Sequence, residues 1–387
     1  MIRGLWYTLK AVITWLDGHT KWLLAGGLIA AGAVNWLQWR RDKKAARRLG
    51  TQPTEPPVLN KTPRVSILVP AWNEANNIGP CIESILALRY PDKELVVCAG
   101  GNDGTLDIAQ RYSGSNVVVL EQYQGEGKQR ALQRCFERAT GEIIFLTDAD
   151  CLLDDDSFER TVEPLLSGEE EVSTGSWRPL DEQLGNPFVI YQWSHHLYRE
   201  GVLPDHIDSL DGRNAAIRRS ALERVGGFKV TAHIGTDYQL SNELTTAGYR
   251  IRFVHHSRVR TEYPETVMQY WRQQSRWFRN ALLLSARFGI WKRVWAPTRA
   301  GLAALFMLGV PLTGGLWSKP LWYLWVAAVC HLILSQARFT RFAQLCGGLR
   351  LARRWQYTLF APYMIVGWMA MTRGLVDSLL PSRRGKW

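Results

Sequence analysis

The sequence predicts an α/β protein, a doubly wound and mostly parallel sheet flanked by transmembrane and interfacial helices. Three observations predict it. Short apolar runs alternate with helical stretches between residues 65 and 147. Long uncharged runs bounded by basic clusters occupy both ends of the chain. The tryptophans divide in the same way: of eighteen, only Trp72, Trp177 and Trp193 fall within 50–265. Tryptophan gathers where an apolar body meets a wet surface, as at a bilayer interface.

Residues 22–39 form an uncharged run of about 18 residues, enough to span a bilayer. Arg40, Arg41, Lys43, Lys44, Arg47 and Arg48 follow it. Basic flanks remain on the cytosolic side, so 1–49 reads as an anchor with the rest of the soluble chain in the cytosol. The charges come after the apolar run, which argues against a cleaved leader. A shorter apolar stretch, 4–16, fits an interfacial segment or a strained extra span. Pro53, Pro56, Pro57 and Pro63 mark 50–63 as a linker.

The next segment, 64–265, carries the soluble pattern. Strands are expected at 65–70, 94–98, 117–120 and 142–147, and helices at 78–88, 106–112 and 128–139. In such sheets ligands bind beyond the carboxyl ends of the strands. Interfacial helices are expected at 266–298 and a membrane region at 299–387. Within the latter, 300–317 and 321–337 read as a hairpin joined by Ser318-Lys319-Pro320. Arg287, Lys292, Arg293 and Arg299 precede the hairpin, and Arg338, Arg341, Arg350, Arg353 and Arg354 follow it, so both flanks are expected in the cytosol. Residues 339–354 fit an interfacial helix and 355–371 a further span. Arg383, Arg384 and Lys386 argue for a cytosolic end. The expectation is a multi-pass protein of the inner membrane with three to five spans and a cytosolic catalytic domain.

Net charge is +12. The bases cluster beside apolar runs, which points to membrane orientation and away from nucleic acid. Six cysteines show no C-x-x-C pair and no metal-ligand spacing, so they read as reduced and mostly buried.

The chemistry begins at Asp148-Ala149-Asp150, directly after the 142–147 strand. Two carboxylates at i and i+2 on a turn can face one hard cation, Mg²⁺ or Mn²⁺, that also takes phosphate oxygens. D-x-D alone is a weak signal; its place at a strand's carboxyl end strengthens it. Other polar groups follow in order. Pro70-Ala71-Trp72-Asn73-Glu74 closes the first strand, and Gly125, Gly127 and Lys128 form a flexible turn with one ammonium. Asp211-Gly212-Arg213-Asn214-Ala215 leads to Arg218, Arg219 and Gly226-Gly227-Phe228, then to Gly235-Thr236-Asp237-Tyr238. Gln273-Gln274-Ser275-Arg276-Trp277 lies on an expected helix. No G-x-G-x-x-G follows the first strand, which argues against a dinucleotide oxidoreductase.

With these motifs in this order, residues 64–280 resemble a family-2 glycosyltransferase of the GT-A fold. Gln273-x-x-Arg276-Trp277 is similar to the Q-x-x-R-W signature of its membrane-embedded branch, which includes cellulose and hyaluronan synthases. The resemblance implies that Asp148 and Asp150 hold the metal and that Asp237 is the general base. It implies a donor site, for a UDP-sugar, of Pro70, Asn73, Glu74, Asp103, Lys128, Asp148 and Arg276. It implies an acceptor site of Gly212, Arg213, Gln273 and Trp277. The chemistry agrees: a carboxylate can take the acceptor's proton, a guanidinium suits a diphosphate, and an indole face suits a sugar. One departure stands out. Relatives carry acids at the end of the second strand, one of them on the uracil; here the segment reads Cys98-Ala99-Gly100-Gly101-Asn102-Asp103-Gly104. Asp103 comes later and matches a turn aspartate. No counterpart of the processive synthases' gating loop is present.

Each residue also has a plainer role. Asp237 could cap a helix at 237–247, Trp277 could anchor in the interface, and Lys128 could sit on a helix surface. His195-His196 and His255-His256 lack metal-ligand spacing and read as ordinary polar residues. Glu169-Glu170-Glu171 reads as a solvated loop. At the level of function, three readings compete. They are extension of a polysaccharide at the membrane, transfer of one sugar to a lipid acceptor, and a non-catalytic membrane scaffold or nucleotide sensor. The acids at 148, 150 and 237 weigh against the last. The sequence leaves the oligomeric state open.

Overall fold

The computed structural model describes residues 20–50, 57, 59, 61–229, 235–313, 319–346 and 360–379. The chain forms two compact units. One comprises Gln52–Leu184 and Glu200–Tyr263; the other comprises Met1–Thr51, Gly185–Arg199 and Pro264–Trp387.

The first unit is built on a nine-stranded sheet. Its strands are β1 Val65–Trp72, β2 Lys93–Gly100, β3 Val117–Glu121, β4 Ile143–Leu146, β5 Cys151–Leu152, β6 Val172–Pro179, β7 His206–Ile207, β8 Ala215–Arg218 and β9 Ile251–Thr261. The order is β3-β2-β1-β4-β8-β6-β9-β5, with β7 also on β9. The strands β1 to β4 are near-continuous apolar runs because both faces are covered. Alternate residues serve opposite cores. Val65, Ile67 and Val69 pack with Ile78, Ile82 and Ile85 of helix Ile78–Leu86. Leu68, Val96 and Ile144 pack with Ala131, Leu132 and Phe136 of helix Gly127–Arg138. Successive side chains of a strand point to opposite faces, so one strand feeds two layers.

The α/β class is as expected, but the sheet is mixed and the expected mostly parallel arrangement holds only for its first half. The strands β1 to β4 pair in parallel. Next, β8 runs antiparallel to β4 and β6 antiparallel to β8, while β9 is parallel to β6 and antiparallel to β5 and β7. Apolar periodicity reports which faces a strand buries; neighbour and direction come from contacts distant in sequence. Boundaries also move. The first two strands extend to Trp72 and Gly100, and two helices end early, at Leu86 and Gln110.

Two polar expectations have different outcomes here. Glu170 is not a solvated loop residue: its carboxylate lies 2.6 Å from His206 Nε2 and 3.4 Å from Arg250 Nη2. His255 is buried, 3.5 Å from Asp205, in an ordinary polar role. All six cysteines are free thiols, with Cys81, Cys98, Cys135 and Cys151 buried.

The second unit is helical. Its elements are Thr20–Gly50, most of Pro187–Val202, Val267–Arg287, Trp291–Leu312, Lys319–Leu345 and Phe360–Leu379. Thr266 caps the 267–287 helix through a reciprocal bond with Gln269. Among the described residues one helix, Lys319–Leu345, is long and apolar enough to cross a membrane, and Thr298–Leu312 is a shorter apolar stretch. Of the three to five expected spans, the described helices thus supply one by length and composition. The 20–50 helix is diluted by glycines and by Asn35 and Gln38. Its polar groups pair within the unit: Asn35 Nδ2 lies 3.0 Å from His331 Nδ1, and Asp42 lies 2.9 Å from Arg338. His195 is enclosed, hydrogen-bonded to Gln336 and edge-on to Tyr191 and Phe339. The expectations for 4–16, for most of 50–63, for the start of the 355–371 run and for the basic tail fall outside the described residues, as does Ser318.

Candidate active site

The carboxyl end of β4 and the amino ends of two helices bring the first group together. Asp148 lies two residues beyond β4, in a turn closed by Cys151 N donating to the Asp148 carbonyl at 3.1 Å. Lys128 is the second residue of helix Gly127–Arg138, reached through a turn in which Gly125 and Gly127 have φ of 84° and 72°. These are left-handed values that glycine adopts without strain. Lys128 Nζ lies 2.6 Å from Asp148 Oδ1 and 3.9 Å from Asp237 Oδ1. Burial opposes the ammonium, but Asp148 and Asp237 outweigh it and hold Lys128 firmly protonated.

Asp237 is the second residue of helix Thr236–Thr246, whose N-cap is Gly235 in the left-handed region. The plain reading of Asp237 as the cap therefore does not hold. Opposite it is the 211–214 turn. A Cβ on Gly212 would collide with the Asp237 carboxylate. Burial pushes the Asp237 carboxyl upward, Lys128 counters, and Asp148 and Asp211 push it further. Its side chain keeps 41% of its surface open, so water still reaches the oxygens and moderates the rise.

Arg213 is clamped by Asp211 through Nε to Oδ1 and Nη2 to Oδ2, both 2.9 Å, and its guanidinium lies 3.5 Å from the centre of the Trp177 ring. Such paired bonds fix a guanidinium plane. Behind the turn, Asn214 is fully buried: it accepts from Thr161 at 2.9 Å and donates to Ser257 Oγ at 2.9 Å. Asp211 and Trp177 were absent from the expected site. The i, i+2 spacing of Asp211 and Arg213 was a usable signal; nothing local marks Trp177.

The β1 end behaves differently. Asn73 has φ 57° and its Oδ1 accepts from Asn102 N at 2.8 Å. Glu74 accepts from Asn77 Nδ2 at 2.9 Å and its backbone N–H donates to Thr105 Oγ1 at 2.7 Å. Asp103 is taken up by Ala75 N at 3.0 Å and by Thr105 Oγ1 at 2.6 Å, which lowers its carboxyl, the Thr105 bond foremost. It thus acts as a turn aspartate that ties the two loops together. Pro70 sits within β1 opposite Cys98.

Among the described residues no group of three or more His, Cys, Asp or Glu side chains forms a ready metal cage. A carboxylate pair nevertheless fits an ion whose remaining ligands are phosphate oxygens and water. The charge balance agrees. Burial raises the Asp150 carboxyl and Asp148 raises it further. Burial also raises Glu74, and Asp150 and Asp148 add to the rise. A cation between them would relieve both.

Gln273, Arg276 and Trp277 belong to the helical unit, on helix Val267–Arg287. Trp277 is 39% exposed.

A family described as "Glycosyltransferase like family 2" matches residues 63–280. Over 246 residues the chain is 28% identical to a probable glycosyltransferase, YdaM, of Bacillus subtilis (strain 168), covering 59% of this chain and 58% of that protein. Over 220 residues it is 26% identical to a poly-beta-1,6-N-acetyl-D-glucosamine synthase of Staphylococcus epidermidis, covering 55% of this chain and 53% of that protein. The chain thus spans a little over half the length of these curated relatives. A mannosyltransferase from Pyrobaculum calidifontis, PcManGT, solved in complex with GDP-Man and Mn²⁺, superposes with a TM-score of 0.54 at 20% identity, covering 93% of this chain and 99% of that one. That likeness shows a GT-A-like fold. With 63–280 of its 387 residues matched, the chain belongs to glycosyltransferase-like family 2.

Proposed function

We propose that this protein moves a sugar from a nucleoside-diphosphate sugar, a UDP-sugar by resemblance, to a hydroxyl of a growing polysaccharide at the membrane, in a single inverting displacement. The observation that carries this reading is Lys128, whose ammonium lies between Asp148 and Asp237. That ammonium is within 4 Å of Asp148, proposed to face the phosphates, and of Asp237, proposed to take the proton. Asp237 accepts the acceptor's proton as its oxygen attacks the anomeric carbon, and the bond to the diphosphate breaks. Lys128 and the amino end of helix Gly127–Arg138 offer positive charge to the phosphates. Asp148 and Asp150 would hold Mg²⁺ or Mn²⁺, which would supply positive charge against the diphosphate. Gly212 lets the 211–214 turn approach Asp237, and Arg213 lines the acceptor side with a fixed guanidinium. The roles of Gln273 and Trp277 toward the acceptor, and of Arg276 toward the diphosphate, rest on their sequence motif.

A second reading, transfer of one sugar to a lipid acceptor, is favoured by one observation: among the described residues a single helix is long and apolar enough to span a bilayer. The decisive experiment gives the purified full chain a panel of nucleotide-sugars with Mg²⁺ or Mn²⁺. It follows nucleotide release and then product length. A ladder supports polysaccharide extension, and one organic-extractable glycolipid supports the second reading. No nucleotide release with any donor would overturn both in favour of a non-catalytic role.

A further inference from the structure

Two helices bring their amino ends to the site, and each carries a buried amide close to its charged residue. Gln129 follows Lys128 as the third residue of helix Gly127–Arg138. Gln239 is the fourth residue of helix Thr236–Thr246, two beyond Asp237. The two amides are 6% and 2% exposed. Gln129 Nε2 donates to Gln239 Oε1 at 2.9 Å, across 110 residues of sequence. The Gln239 amide has a fixed sense, because its Nε2 donates to Glu243 Oε1 at 3.0 Å and to the Lys229 carbonyl at 3.3 Å. Its oxygen is thereby turned to Gln129.

Successive side chains of a helix turn by about 100° around its axis. Lys128 and Gln129 therefore leave one helix in different directions, and Asp237 and Gln239 leave the other in different directions. The two helix starts meet at two places: ammonium to carboxylate at 3.9 Å, and amide to amide at 2.9 Å. One contact sets a distance, and the second also sets the rotation of each helix start. The ammonium contact is the longer, and Lys128 is drawn away to Asp148 at 2.6 Å. We propose that Gln129 and Gln239 are positioning residues: their buried amide bond holds Asp237 in place beside Lys128 and the reacting hydroxyl. They act through Asp237, not on the substrate. The proposal rests on the sugar-transfer reading above and adds what keeps its base in position.

The test uses the full chain in detergent with Mn²⁺. It measures kcat by nucleotide release from a panel of UDP- and GDP-sugars, and affinity by titration with UDP and GDP. Gln129→Met and Gln239→Met each cut the pair from one side. A misplaced base can cost up to about 10²-fold, and each variant is expected to lose about tenfold in kcat. Nucleotide affinity is expected to stay within twofold of the parent, because Lys128 remains on Asp148. Each single variant leaves a buried amide unpaired and should lower thermal stability. The double variant Gln129→Met/Gln239→Met leaves neither amide, so it should be more stable than Gln239→Met. Its kcat should nevertheless stay as low, since two thioether chains make no directional bond. Gln133 serves as the structural control: on the same helix, its Oε1 accepts from Phe228 N at 2.8 Å. Gln133→Met should lose stability and keep the parent's kcat. A kcat within twofold of the parent in either single variant overturns the proposal. So does a kcat that recovers with stability in the double variant, an equal fall in Gln133→Met, or a matching loss of nucleotide affinity, since each marks a purely structural role. A parent that releases no nucleotide from any donor removes the sugar-transfer reading itself, a result distinct from failure at the amide pair.

Discussion

Lys128 and Asp148 meet at 2.6 Å, and the same ammonium reaches Asp237 at 3.9 Å. The contact joins the amino end of one helix to the turn after β4, although the residues are twenty apart in sequence. Replacing Lys128 by Met leaves both acids without that cation. We expect turnover to fall by at least about tenfold, the scale of a lost charged hydrogen bond. Lys128 also holds the Asp237 carboxyl down. The acid limb of kcat/KM should therefore move to higher pH in Lys128→Met. An unmoved limb would separate Lys128 from Asp237.

Asp237→Asn keeps the shape and removes the basic oxygen. Loss of a placed base costs about 10²- to 10⁴-fold in rate, while nucleotide binding is expected to persist. The pH dependence has a definite sign. Burial raises the Asp237 carboxyl above its usual range. A base works only when deprotonated, so activity is lost as pH falls through that raised value, sooner than for an ordinary aspartate. Turnover of Asp237→Asn within a few-fold of the parent would assign the base elsewhere.

Gly212→Ala tests the close approach of the 211–214 turn to Asp237. The added methyl would meet the carboxylate, and Gly212 is not among the glycines with positive φ. The backbone therefore tolerates alanine, and thermal stability should change little. A misplaced base can cost about 10²-fold. Unaltered kcat in a folded Gly212→Ala protein would show that this contact is dispensable.

Asp150→Asn removes one of two acids proposed for the metal. We expect turnover to be abolished and Mn²⁺ binding, measured by paramagnetic resonance, to weaken. Near-normal activity with the same metal dependence would remove Asp150 from the site.

Gly168 lies in a turn at the end of helix Asp155–Leu166, with φ 79° and open space around its Cα. A reporter that is active only outside the cytosol, inserted there, should remain silent if the basic flank at 40–48 sets the topology. A strong signal would reverse the proposed orientation.

The two halves of the sheet show where sequence reading succeeds and stops. The strands β1 to β4 were readable because each is a short, nearly continuous apolar run, and β1, β2 and β3 are each followed by a helix of the right period. With β4 located, Asp148 and Asp150 were placed at a strand end. The antiparallel strands β8 and β6 were not readable, because Ala215–Arg218 is four residues long and Val172–Pro179 carries serines and a threonine inside. The hydroxyls of Ser173 and Thr174 donate to the backbone carbonyls of Thr161 and Asn214, 12 and 40 residues away in sequence. Glu170 was misread for the same reason, since its partners His206 and Arg250 lie far along the chain.

The sequence alone determined the α/β class and the family resemblance and singled out the acids at 148, 150 and 237 as candidates, because periodicity and motif order are properties of neighbouring residues. Only the tertiary structure decided that Lys128 lies between Asp148 and Asp237, that Arg213 is clamped by Asp211 over Trp177, and that Gln129 pairs with Gln239. These relations depend on strand order and register, which bring distant residues within a few ångströms and which no local pattern encodes.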